Sequence, residues 1–195
     1  MGEVARWLVV AAAIAVLAVS WRRAGSLQVG PVEERIFRRV NGLSDALHPP
    51  VWAVMQAGSL AAVFVVPAAL MGQDENQRAV VAFGVGFLMW LGVKEGKHLV
   101  GRGRPAAHLA DVRVRGEDQT GLGYPSGHAA VSLSLALVAT GAAGVPIAMA
   151  AIGVAAITGA ARMYVGAHLP LDVVGGFAIG LIAAEVANAG IVAWG

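Results

Sequence analysis

From Trp7 to Val19 the chain offers no polar side chain, and five further apolar runs follow: Val51 to Met71, Ala79 to about Val93, Ala129 to Ala143, Ile147 to Ala161, and Pro170 to Trp194. Segments of this length and polarity suit hydrocarbon, where every backbone N–H and C=O must be bonded within the protein, so each reads as a membrane-crossing helix. The composition agrees, with 57% hydrophobic against 13% charged residues and a mean hydropathy of +0.70, far from the balance of a soluble domain. The expected fold is therefore all-α, a polytopic integral membrane protein built as a six-transmembrane-helix bundle. No polar linker or low-complexity tract divides the chain, so residues 1–195 form one domain. The absence of cysteine excludes a disulfide framework, thiolate catalysis and zinc–thiolate sites.

The segments between the runs carry the detail. Arg6 precedes the first run and Trp21-Arg22-Arg23 follows it, which flanks a spanning helix with snorkelling residues; the competing reading is a signal peptide, since Ala18-Val19-Ser20 offers small residues to a peptidase. From Gly30 the pattern changes. Pro31 suits a first helical turn, Glu33 and Glu34 complement its dipole, and Val32, Ile36, Val40, Leu43 and Leu47 form one stripe, the signature of an interfacial amphipathic helix after the first span. Residues 101–123 make a long polar loop, and in so compact a chain a loop of that length is more often functional than not. Gly176 and Gly180 have the spacing that lets two helices approach closely. Glu185 lies about 20 Å beyond Asp172 by helical rise and is expected either to pair with something or to lie near the far surface.

Six spans put the intervening loops on alternate faces, and the residues able to do chemistry fall on one of them. Tyr124-Pro125-Ser126-Gly127-His128 stands at the mouth of the fourth run, with Ser126 placed to cap the helix and the amides of Gly127 and His128 free to hold an anion. His128 adds a proton donor within reach of whatever the amides bind; the plainer alternative is a capped helix whose histidine sits at the interface. Lys97, Arg104 and Arg162 are three cations able to hold a phosphate dianion, or else to snorkel toward head groups. Arg102 could assist them or face the head groups. His168 and Asp172 are four apart across the start of the last helix, so the carboxylate can orient the imidazole as base or nucleophile, unless Asp172 serves only as a helix cap. No metal-ligand spacing and no Walker loop accompanies these residues, which points to chemistry without a metal or other cofactor.

In order, Lys97-x6-Arg104-Pro105, Pro125-Ser126-Gly127-His128 and Arg162-x5-His168-x3-Asp172 resemble the three-part signature of the type 2 phosphatidic acid phosphatase family, whose wider superfamily includes vanadium haloperoxidases. The resemblance covers roughly the second apolar run to the end. It implies that His168 attacks phosphorus and becomes phosphohistidine, that Asp172 supports it, and that His128 protonates the leaving alkoxide before water hydrolyses the intermediate. It also implies that Lys97, Arg104, Arg162, Ser126 and Gly127 hold the phosphate oxygens. One departure stands out: the family's third motif usually opens with serine, and here the residue before Arg162 is Ala161. Loss of one neutral hydrogen bond, about 0.5–1.5 kcal/mol, is expected to retune turnover without abolishing it.

The expected function is thus an integral-membrane lipid phosphatase acting on a polyprenyl (di)phosphate or a phosphorylated glycerolipid. The alternatives are a phosphotransferase passing the phosphate to a lipid or sugar acceptor, and a non-enzymatic lipid-binding or lipid-moving bundle. A vanadate-dependent peroxidase is disfavoured, because so small and apolar a chain offers peroxide chemistry no soluble pocket. Expected partners are the bilayer and a lipid phosphate substrate, with no nucleic acid; an oligomer is neither required nor supported. The resemblance implies a bacterial inner-membrane protein with an outward-facing site. Twelve of the fourteen Lys and Arg residues lie on the site's face, however, and the positive-inside rule reads that face as cytoplasmic.

Overall fold

A computed structural model describes residues 2–116, 120–141 and 143–194. Ala142, near the end of the expected fourth run, lies outside the described residues. Among the described residues there are eight α-helices: α1 (Glu3–Gly25), α2 (Pro31–Asn41), α3 (His48–Met55), α4 (Leu60–Met71), α5 (Asn76–Gly96), α6 (Gly127–Ala139), α7 (Val145–Tyr164) and α8 (Pro170–Trp194). Among the described residues the one extended pairing is a single bridge between Gly103 and Leu122, inside the long loop.

Two expectations about the spans change. The run Val51 to Met71 is not one helix: α3 gives way to a short turn at Gln56–Gly58, and the path of α4 is bent by 68° from it. A Cβ on Gly58 would lie 2.4 Å from the His128 carbonyl oxygen, so the break is where the start of α6 presses against the chain. Four helices are long and apolar enough to cross a membrane, α1, α5, α7 and α8, and the bent α3–α4 pair makes a fifth. The fourth run becomes α6, only 13 residues, or about 20 Å at 1.5 Å per residue, short of the ~30 Å hydrocarbon core. Length and composition therefore support up to five crossings rather than the six expected.

The short helix is the centre of the bundle. α6 packs against α4, α5, α7 and α8, and its Val131, Leu135 and Val138 join Val63, Leu70, Ala82 and Ala184 in the main core. Gly176 and Gly180 do what their spacing suggests. A Cβ on Gly176 would come within 2.4 Å of the Ser126 carbonyl, and one on Gly180 within 2.5 Å of the Ala130 carbonyl, so α8 lies backbone to backbone on the first turns of α6. α1 packs along α8, where Arg6 Nε meets Glu185 Oε2 at 3.4 Å and supplies the partner that the buried carboxylate needed. Near the other end of α1, the Ser20 and Tyr124 hydroxyls are 2.8 Å apart.

The helix expected after the first span forms as α2, turned differently from its simplest reading. Val32 and Ile36 of its apolar stripe are exposed while Val40 packs on the core around Met55 and Tyr164, and the buried residues of α2 are Glu33, Phe37 and Asn41. Asn41 Nδ2 donates to the carbonyls of Arg113 and Tyr164, at 2.8 and 2.9 Å, and its Oδ1 accepts from Arg113 N at 2.9 Å. Glu33 is thus more than an ornament of the helix dipole.

Leucine at position 180 would force the α6–α8 backbones apart. Gly180→Leu is expected to lower the detergent thermal midpoint by an amount corresponding to at least the ~1–3 kcal/mol typical of overpacking. Gly190→Leu, on the same helix at a site where a Cβ meets nothing within 4 Å, is expected to leave the midpoint unchanged. Equal responses from the two variants would remove the special role given to the close contact.

Candidate active site

The polar loop and three helix ends enclose a cavity of about 550 Å³. Lys97 reaches it from just beyond α5, Arg104 from the loop, Gly127 and His128 from the first turn of α6, Arg162 from the last turn of α7, and His168 from the link into α8. Six of the eight residues expected at a phosphate site therefore line one cavity, although they are drawn from parts of the sequence up to 71 positions apart. The lining also includes the apolar side chains of Leu60, Trp90 and Val93.

Local backbone contacts hold the cations in place. Lys97 Nζ donates to the Leu122 carbonyl at 3.0 Å. Arg104 Nε donates to the Thr120 carbonyl at 2.8 Å and its Nη1 to the Ala167 carbonyl at 2.9 Å. Arg162 is buried and its Nη1 lies 3.2 Å from Met55 Sδ. Burial pulls the Arg104 guanidinium below its ordinary range, with the Asp172 carboxylate opposing that shift. Three cations around one cavity repel one another, and a bound phosphate would bring the opposite charge into their midst.

The remaining two of the eight sit behind the cavity. Ser126 is the residue before α6, extended and fully buried, but its side chain makes no capping bond, contrary to the simplest expectation for that position. Its Oγ has no hydrogen-bond partner among the described residues. Its backbone N donates to the Asp172 carbonyl at 2.8 Å, which ties the start of α6 to the start of α8. Asp172 is also fully buried. The capping contacts are present: Oδ2 accepts from Leu169 N at 2.8 Å while Asp172 N donates to the Leu169 carbonyl at 3.0 Å, a reciprocal cap on α8. The same Oδ2 stands 3.5 Å from His168 Nδ1. That separation is longer than a formed hydrogen bond, as such contacts often are before substrate binds. With Nδ1 on the Asp172 side, Nε2 occupies the opposite edge of the ring.

Two residues that the motifs did not single out complete the electrostatics. Arg102 is fully buried and forks onto Glu33, Nη1 to Oε1 at 2.9 Å and Nη2 to Oε2 at 2.8 Å, while the same Nη1 reaches Asp172 Oδ1 at 3.2 Å. It does not face head groups, and it does not line the cavity either. The signal for Glu33 lay in the line Glu33–Phe37–Asn41 at helical spacing, which the stronger apolar stripe outweighed. Ala161 packs in a second core with Met55, Tyr164, Val165 and Ala167, and it is not part of the cavity lining. Among the described residues no group of three His, Cys, Asp or Glu side chains gathers to hold a metal ion.

His168 is 2% exposed. Burial, followed by the charges of Arg162, Lys97 and Arg104, holds its imidazole well below the ordinary value of 6.5, with the Gly123 carbonyl opposing them. A ring with a depressed pKa keeps its lone pair as the pH falls through 6.5. The stability associated with the neutral ring is complete above about 6.5, the unfolded value, and drains away below it. An NMR titration of the His168 ring in detergent is expected to show no protonation midpoint at or above ~6.5. A midpoint there would contradict the enclosed, cation-flanked setting.

Comparison with known proteins gives the same outline. A family profile described as the PAP2 superfamily matches residues 76–192. No curated protein matches the chain significantly in sequence. Among solved structures, LpxE of Aquifex aeolicus is similar with a TM-score of 0.69 at 23% identity, over 81% of this chain and 95% of that one. The first transmembrane PAP2 type phosphatidylglycerolphosphate phosphatase from Bacillus subtilis is similar with a TM-score of 0.73 at 18% identity, over 93% of this chain and 96% of that one.

Proposed function

Because the chain belongs to the PAP2 superfamily, we propose that it is an integral-membrane lipid phosphatase that removes the terminal phosphate from a polyprenyl diphosphate or a phosphorylated glycerolipid. The observation that carries this reading is the convergence of Lys97, Arg104, Arg162, His128 and His168 on one cavity whose lining also includes the apolar Leu60, Trp90 and Val93. A phosphate among the three cations leaves its lipid chain to run along Leu60, Trp90 and Val93. Lys94 lines the same cavity, so an anion longer than a monophosphate, such as a diphosphate, has further positive charge to meet.

In this mechanism His168 Nε2 attacks phosphorus in line with the bond to the leaving oxygen. That bond breaks as the N–P bond forms, and His128 gives its proton to the departing lipid oxygen. Asp172 faces Nδ1 and offsets the positive charge that develops on the ring. The Gly127 amide and the three cations hold the equatorial oxygens, where charge is spread in the transition state. Water then attacks the phosphohistidine while His128 takes its proton, which releases inorganic phosphate and restores His168. No step calls for a metal. The Bacillus subtilis structure is that of a phosphatidylglycerolphosphate phosphatase, which puts this lipid among the substrates to test.

Detergent-purified protein in EDTA is expected to release phosphate from at least one of undecaprenyl diphosphate, phosphatidylglycerol phosphate and phosphatidic acid. His168→Ala is expected to remove the activity, and His128→Ala to lower it by ~10²–10⁴-fold, the usual worth of a positioned acid. Release that needs a divalent cation, or that survives His168→Ala, would overturn the mechanism. Product that forms only when an acceptor alcohol is added would assign the chain to phosphotransfer instead.

A further inference from the structure

Three charged side chains lie out of solvent behind the cavity: Arg102 and Asp172 are 0% exposed and Glu33 is 7% exposed. Stability alone gives little reason for them, since well-packed apolar groups of similar volume often replace a buried ion pair at no loss. Their geometry suggests another purpose. A carboxylate has two oxygens, and both oxygens of Asp172 are committed, Oδ1 to Arg102 at 3.2 Å and Oδ2 to Leu169 N at 2.8 Å. The plane of the carboxylate is thereby fixed, with Oδ2 turned toward His168 Nδ1. Arg102 is itself fixed by its two bonds to Glu33, and Glu33 Oε1 also accepts from Leu171 N at 3.1 Å, in the same first turn of α8 that carries Asp172.

Resting on the phosphatase reading of this site, we propose that Glu33 and Arg102 are positioning residues of the reaction, which hold Asp172 against His168 and leave it one uncompensated negative charge. The charge argument is simple. Arg102 beside Asp172 alone would neutralise the carboxylate that His168 needs when its ring becomes cationic. Glu33 balances Arg102, so the three together carry one net negative charge, next to the imidazole. The other groups that face the Asp172–His168 pair are Arg104 from the loop, Lys97 beyond α5, Arg162 at the end of α7, and Tyr124 and His128 around the start of α6. Arg102 bonds the carboxylate through Oδ1 and does not line the cavity.

The test uses the full-length protein in detergent and three variants, Glu33→Gln, Arg102→Leu and the double Glu33→Leu/Arg102→Leu, followed by thermal unfolding, kcat, KM and the pH profile of kcat. The double variant removes both buried charges and is expected to fold. All three are expected to lose ~10–100-fold in kcat, as outer partners of a reactive group do, with KM little changed because Lys97, Arg104 and Arg162 are untouched. Arg102→Leu takes a cation from beside Asp172 and lets the carboxylate bind a proton at higher pH, so the acid limb of kcat moves up; Glu33→Gln removes a negative charge and does not move it up. Wild-type kcat and pH profile in the double variant would overturn the proposal. So would a rise in KM matching the fall in kcat, or the failure of all three variants to fold, which would make the pair a packing device. Absence of phosphate release by the wild-type protein would instead sink the phosphatase reading, and this proposal with it.

Discussion

α6 and α8 touch backbone to backbone, and the rest of the site hangs on that contact. With no side chain at Gly176 or Gly180 to separate them, the first turn of α6 comes to lie beside the first turn of α8, and the Ser126 amide bonds the Asp172 carbonyl across the junction. His128 leads out of one turn and His168 leads into the other, so a single close approach brings the two histidines to one cavity. The same pressure from α6 explains the break after α3, because the Gly58 backbone has to pass the His128 carbonyl. A short helix can organise a bundle when its neighbours are packed this tightly.

Around this junction the protein keeps charge in a place where water is scarce. The cations on the cavity side are open to an anionic ligand, whereas the charges behind it are closed on one another through Glu33, Arg102 and Asp172. Low local polarity makes every such interaction stronger and every unmatched charge costlier. An arrangement of this kind fits a reaction in which negative charge arrives, is redistributed over phosphate oxygens and departs, while the supporting carboxylate stays where it is.

The apolar outer stripe of α2 and its inner Glu33 give that helix two faces with different tasks. The outward face suits the membrane surface, and the inward face contributes to the electrostatics of a site built mainly by α5 to α8. The family profile begins at residue 76, so α1 and α2 lie outside it, yet Ser20 meets Tyr124 and Glu33 meets Arg102. The region before the matched segment is therefore joined to the site rather than appended to it.

The sequence by itself determined the helical membrane character and six of the residues that line the cavity. Apolar length, proline and glycine positions, and the three spaced motifs are local properties, legible along the chain. The Gly176–Gly180 contact and pairing as one of two courses open to Glu185 were legible too, because steric need and buried charge leave few solutions. Tertiary structure alone decided that Val51 to Met71 would bend, that α6 would stop short of a full span, and that Ser126 would sit behind the cavity. It also decided that Glu33 would close on Arg102, 69 positions away, rather than only complement the dipole of its helix. Such a pairing depends on which face of α2 turns inward, and packing against α7 and α8 selects the Glu33–Phe37–Asn41 line over the stronger apolar stripe.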